Sequence, residues 1–141
     1  MKKSVFYFLS LTWGLPMTLI GAIAVGALKL AGYEVKKWGY CYYVEVGTGW
    51  GGVNLGMFFI TSEDAFRSTR DHEHGHALQN CIWGILMPFV IGIPSLIRYW
   101  YIMFKVFEDL DYSYDYDAIW FEGQATRWGT KFVKSIEGDN K

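Results

Sequence analysis

The sequence predicts a mainly α chain with a small β-hairpin or sheet, an α+β fold. Three observations predict it. Residues 4–28 and 77–97 form two long stretches without a formal charge, and residues 40–46 and 53–60 are short runs rich in β-branched and aromatic residues. The polar segments beside these runs carry histidines, acids and small residues at helical spacing.

Composition bounds what such a chain can do. With 141 residues it suits one domain. Hydrophobic residues at 52% and aromatic residues at 19% exclude intrinsic disorder, because so much apolar surface cannot stay solvated. A net charge of −1 without a basic stripe argues against a nucleic-acid partner. Cys41 and Cys81 are too few for a disulfide framework or a CxxC site and are expected as packed thiols.

The first element is an N-terminal helix. Residues 4–28 are 25 consecutive residues without Asp, Glu, Lys, Arg or His, longer than the roughly 20 that a bilayer crossing needs. The rival is a cleaved signal peptide with Ala22-Ile23-Ala24 at its cleavage site, but its apolar core would exceed the usual length of about 7–15 residues. The expectation is an uncleaved transmembrane helix. Lys2 and Lys3 before it, against Lys29, Lys36 and Lys37 after it, lean toward an N-terminus outside.

Next come two strands. Residues 40–46 and 53–60, separated by Gly47-Thr48-Gly49-Trp50-Gly51-Gly52, read as a hairpin with a glycine-rich loop. That loop has no phosphate-binding spacing. Thr61 or Ser62 is then expected to cap a helix with Glu63 and Asp64 in its first turn.

That helix carries the chemistry. His72-Glu73-x-x-His76 places two imidazoles at i and i+4 on one face, within reach of a single metal ion. Glu73 lies about 100° around the helix, beside the ion, where it can take a proton from bound water. His74, about 200° from His72, points away and is read as a bystander or as a residue that supports the ligands from behind. Gly75 removes bulk just before the second of these histidines, a position suited to close approach.

A second apolar stretch follows. Pro88, Gly92 and Pro94 argue against one straight helix and for a bend, a re-entrant hairpin or an interfacial segment. Arg98 closes it, and Tyr99-Trp100-Tyr101 reads as an interfacial belt. The last element is a helix over residues 118–129, capped by Asp115 or Asp117. On it Glu122, Ala125 and Gly129 make a narrow stripe at i, i+3 and i+7. Glu122 then either points at a partner helix or is an ordinary surface glutamate.

The motif pair His72-Glu73-x-Gly75-His76 and Glu122-x-x-Ala125 resembles the gluzincin zinc metallopeptidases. A nearer likeness is to small bacterial and phage membrane proteins that share a hydrophobic N-terminus, a Gly-Gly-Val-x-Leu-Gly strand, HExGH, a Gly-x-Pro-Ser-Leu segment and an E-x-x-A helix. Here these are Gly51-Gly52-Val53-Asn54-Leu55-Gly56, the histidine helix, Gly92-Ile93-Pro94-Ser95-Leu96 and Glu122-Gly123-Gln124-Ala125, so the likeness spans roughly residues 51–129. It implies a minimal zincin-like core in which His72, His76 and Glu122 hold Zn²⁺ and Glu73 is the general base. It also implies that the strand around residues 53–59 receives an extended peptide substrate. The resemblance departs at Thr126, which stands where the family pattern E-x-x-A-D has an acid to orient a ligand histidine. Thr126 is therefore expected beside a ligand without supplying charge.

Topology adds a condition. His76 precedes the second apolar stretch and Glu122 follows it, so a shared ion requires that stretch not to separate them across a bilayer. The expected division is residues 1–37 as membrane helix and basic flank. Residues 38–141 would form a compact metal-binding domain that includes the apolar segment 82–104. The expected function is a zinc-dependent peptidase of the bacterial cytoplasmic membrane, its partners a peptide or protein substrate and the lipid bilayer. Arg98, Tyr112, Tyr114 and Tyr116 stand as candidates for the oxyanion. The alternative is a catalytically inactive zinc-binding membrane protein acting as a binding or structural module. A membrane metal oxygenase would need many more than three histidines.

Overall fold

The charge-free N-terminus folds as two helices at a right angle. A computed structural model describes residues 1–109, 113 and 115–138 and places α1 over Lys3–Leu11 and α2 over Leu15–Leu30, bent by 91°. The single helix expected over residues 4–28 is thus broken at residues 12–14, and distant contacts explain why. The Trp13 indole N–H donates to the Ile82 carbonyl at 3.0 Å, and the Asn80 amide donates to the Gly14 carbonyl at 3.1 Å. Pro16 then sits in the first turn of α2, where its missing N–H costs nothing. Phe6 of α1 is fully buried among Cys41, Tyr43, Phe59, Ala77 and Cys81. Burial of such a ring contributes about 1.5–3 kcal/mol, which ties α1 to the core shared by the sheet and the histidine helix.

The sheet has four strands: β1 (Lys36–Trp38), β2 (Cys41–Glu45), β3 (Gly52–Leu55) and β4 (Phe58–Thr61), in the order β1-β2-β4-β3. This corrects the expected hairpin between residues 40–46 and 53–60. Each of those two apolar runs belongs to its own hairpin, β1–β2 and β3–β4, while β2 and β4 pair in parallel. The turns explain it. Gly56 adopts φ +73° between Leu55 and Phe58, and the Asn54 carboxamide bonds both its N–H and its carbonyl, closing a tight turn inside what reads as one strand. The glycine-rich loop is instead a crossover that carries the chain to the outer edge. Tyr43 and Phe59, paired across β2 and β4, stack at 4.8 Å and fix that register.

Helix α3 spans Arg67–Trp83 and starts later than expected. Thr61 closes β4, and the following residues continue the ladder: Ser62 N–H donates to the Gly51 carbonyl and Glu63 N–H to that of Gly47. The Asp64 carboxylate accepts from Gly49 N–H rather than from a helix turn. Phe66 occupies the cap position without a side-chain bond.

The second apolar stretch contains a 3₁₀ turn at Gly84–Leu86, a π-helical turn at Pro88–Gly92 and then α4 over Ile93–Glu108. The expected hairpin within residues 88–94 does not form. Pro88 and Pro94 each sit in the first turn of a helical segment, where proline is tolerated, so the chain turns at Gly84 (φ +54°) instead. Pro88–Glu108 is long and apolar enough to cross a membrane, and little of it is buried. A 3₁₀ turn at Tyr116–Ala118, capped by the Asp115 side chain, leads into α5 (Trp120–Gly138).

Helices α3 and α5 pack backbone against backbone. A β-carbon on Gly75 would collide with the Ala125 carbonyl, and one on Gly129 with that of Asp71. The small-residue stripe thus brings the two backbones together, as its spacing predicts.

Candidate metal centre

Three side chains converge where α3 and α5 touch. His72 Nε2, His76 Nε2 and Glu122 Oε2 form a triangle with all three edges 3.1 Å long. Their helices explain the meeting: i and i+4 stack the imidazoles on one face, and the close approach at Gly75 lets Glu122 reach them. The Glu122 side chain has no exposed surface, against 8% for His76 and 14% for His72. Three lone-pair donors this close repel unless positive charge lies among them, so the group can hold a metal ion.

The outer atoms of each candidate ligand are held. His76 Nδ1 faces Gln79 Oε1 at 2.7 Å. The Gln79 amide nitrogen donates to the Phe121 carbonyl and to Gln124 Oε1, so its oxygen must be the atom facing His76. Nδ1 therefore carries the proton and Nε2 keeps its lone pair for the centre. His72 Nδ1 lies 2.7 Å from Thr126 Oγ1, and the Thr126 hydroxyl donates to Asp117 Oδ1 at 2.9 Å. Ser95, at the start of α4, donates to Glu122 Oε1 at 2.5 Å.

Electrostatics follow this arrangement. Burial alone would raise the Glu122 carboxyl, but the His72 and His76 imidazoles facing it and the Ser95 hydroxyl hold it well below the usual carboxylate range. Burial would lower His76, yet the carboxylates of Glu122 and Glu73 beside it leave it raised. Glu73 is raised chiefly by burial, partly offset by the two histidines. Its Oε2 is buried without a hydrogen-bond partner, while Oε1 lies against Gly52 of β3, where a β-carbon would come within 2.7 Å.

His74 takes no part. It is fully buried, stacked between Phe6 at 5.9 Å and Phe132 at 5.3 Å, and accepts the Tyr40 N–H on Nε2. Burial pulls its pKa down to about 4, so it is a neutral core histidine. Cys41 and Cys81 are free, buried thiols.

A cavity of about 590 Å³ opens onto Glu73 and both ligand histidines. One wall is the edge strand β3 with Trp50 and Gly51, and the other is Met87, Ile91, Leu96, Tyr99 and Met103. In the β3–β4 hairpin the closing pair Leu55–Phe58 exchanges hydrogen bonds, and Val53–Ile60 repeats the phase. Gly52 and Asn54 thus turn their N–H and C=O away from β4, toward the free edge. Only the first half of residues 53–59 is edge; the remainder is the interior strand β4.

Arg98, a candidate for the oxyanion, donates through Nη2 to the Asp115 carbonyl and does not line the cavity. Tyr112, Tyr114 and the Tyr116 side chain lie outside the described residues. Three contributors were not read from sequence: Ser95, Gln79 and the Thr126 contact of Asp117. Ser95 had a signal, being the one hydroxyl in residues 81–97, and Gln79 had another, at i+3 from His76. No family model, curated protein or solved structure matches this chain.

Proposed function

We propose that the protein is a membrane-associated zinc metallopeptidase of gluzincin type. The observation that carries this is the Glu73 carboxylate: buried, with one oxygen unpartnered, beside a His-His-Glu donor set and an edge strand in the same cavity. Two imidazole nitrogens and one carboxylate oxygen are the donor set of a catalytic zinc site that keeps one position open. Tetrahedral bonds of about 2.0–2.1 Å give donor–donor edges of about 3.3 Å. The observed edges of 3.1 Å suit them after a small expansion.

Zinc, when bound, supplies Lewis acidity toward water and the scissile carbonyl. The chain's own residues do the rest. Gly52 and Asn54 bind the substrate backbone as an added strand, giving affinity without strong sequence preference. Glu73 Oε2 takes the proton of the attacking water as the new C–O bond forms and then passes it to the amide nitrogen, so that the C–N bond breaks and the amine leaves. Its burial lifts the carboxyl toward the range where a general base works well.

The membrane part rests on surface chemistry. Leu19, Ile20 and Ile23 of α2 and Ile97, Trp100, Phe104 and Phe107 of α4 are exposed apolar side chains. The chain also returns from Glu108 to Asp115, whose carbonyl meets Arg98 ten residues before the end of α4. That suits a helix seated in the bilayer or its interface without parting His76 from Glu122.

The test is a broad peptide library and detergent-solubilised membrane proteins, offered to wild type and Glu73→Gln. The expected result is one zinc per chain in both proteins and cleavage by wild type alone, with the variant reduced about 10²–10⁴-fold. Zinc bound by both with no substrate cut by wild type would favour the non-catalytic reading.

A further inference from the structure

We infer that Asp117 is the positioning acid of this metal site, acting on His72 through the Thr126 hydroxyl; the inference rests on the metal-site reading above. Where the gluzincin pattern has an acid directly on the ligand-bearing helix, this chain has Thr126. The carboxylate is supplied from nine residues upstream, by the 3₁₀ segment that precedes α5.

The polarity of the relay follows from counting protons. A threonine hydroxyl has one hydrogen, and Thr126 gives it to Asp117 Oδ1 at 2.9 Å. Only lone pairs then remain to face His72 Nδ1 at 2.7 Å, so Nδ1 must carry the proton and donate. Nε2 is thereby left with its lone pair toward His76 and Glu122. Without Asp117 the same hydroxyl is able to donate to Nδ1, which fixes the opposite tautomer and turns an N–H toward the ion. His76 has the matching device: Gln79 accepts from its Nδ1 because the Gln79 amide protons are committed to Phe121 and Gln124. Each ligand histidine is thus held by an acceptor whose own hydrogens are used elsewhere.

The turn that carries Asp117 is built for this position. The Asp115 carboxylate accepts the Asp117 N–H at 3.0 Å. Gly123 lets α5 pass the Asp117 carbonyl, which would lie 2.7 Å from a β-carbon there.

Zinc affinity of the full chain, measured by chelator competition, tests the relay without reference to catalysis. Thr126→Ser keeps the hydroxyl and is expected to bind within about twofold of wild type, whereas Thr126→Val and Asp117→Ala should each weaken binding by about tenfold or more. The Thr126→Val/Asp117→Ala double variant should be no weaker than Thr126→Val alone, since both changes cut one path. Wild-type affinity in Asp117→Ala, or a double variant showing the product of the two single losses, overturns the relay. Glu122→Gln is run alongside. If that change leaves affinity intact, the metal site itself is wrong and the relay falls with it; if it abolishes binding, the relay stands or falls on the other variants.

Discussion

Gly75 on α3 lies so close to the Ala125 carbonyl on α5 that no β-carbon fits between them. The contact sits one residue from His76 and three from Glu122, so the spacing of these two helices is also the spacing of the candidate metal ligands. Gly75→Ala must push backbone against backbone, which no rotamer change relieves. Overpacking of this kind costs about 1–3 kcal/mol, and zinc binding should weaken with it. Gly26→Ala on α2 is the control, since nothing lies within 4 Å of a β-carbon there and alanine favours the helix by about 1 kcal/mol. Thermal unfolding of the two variants should move in opposite directions. A Gly75→Ala protein as stable as wild type would contradict the helix spacing described.

The site was far more legible than the fold around it, for a physical reason. A metal site demands particular residue types at fixed helical spacing, so His72 and His76 stand out as a candidate pair with Glu73 beside them, and the stripe of Glu122, Ala125 and Gly129 announces a close helix partner. The sheet offers no such constraint. One apolar run over residues 53–60 conceals a hairpin because the Asn54 side chain, rather than a polar turn sequence, closes it at Gly56. The bend between α1 and α2 depends on Trp13 and Asn80 meeting partners about 65–70 residues away, which no local pattern reports. Asp117 was legible as a helix-start acid but not as the partner of Thr126, because the 3₁₀ turn that aims it has no strong sequence signature.

The buried neutral state of His74 makes stability depend on pH. In the folded protein its pKa is pulled from 6.5 to about 4 by burial between Phe6 and Phe132. The unfolded chain takes up this proton near pH 6.5, so between the two values it binds more protons than the folded state. Stability contributed by neutral His74 is therefore fully present above pH 6.5 and declines as pH falls toward 4. The difference amounts to about 3 kcal/mol. His74→Gln keeps an acceptor for the Tyr40 N–H and cannot be protonated. Urea unfolding from pH 7 to pH 4 should lose less stability in the variant than in wild type by that amount. Parallel pH profiles for the two proteins would show that another group controls acid sensitivity.

Ser95 gives the apolar segment a hold on the third ligand. Its hydroxyl donates to Glu122 Oε1 at 2.5 Å, and the Glu122 side chain has no exposed surface through which water can replace it. A hydrogen bond to a buried charge contributes about 1.5–3 kcal/mol, so Ser95→Ala should lower metal-free stability by about that much. The same change frees Glu122 Oε1 and loosens the aim of Oε2, which should weaken zinc binding by about tenfold. Ser95→Thr keeps the hydroxyl and should stay near wild type in both measurements. Thermal unfolding with and without EDTA, beside chelator competition, reads the two effects separately. If Ser95→Ala melts with wild type under both conditions and binds zinc equally well, α4 has no hold on the centre, and its first turn is only a wall of the cavity.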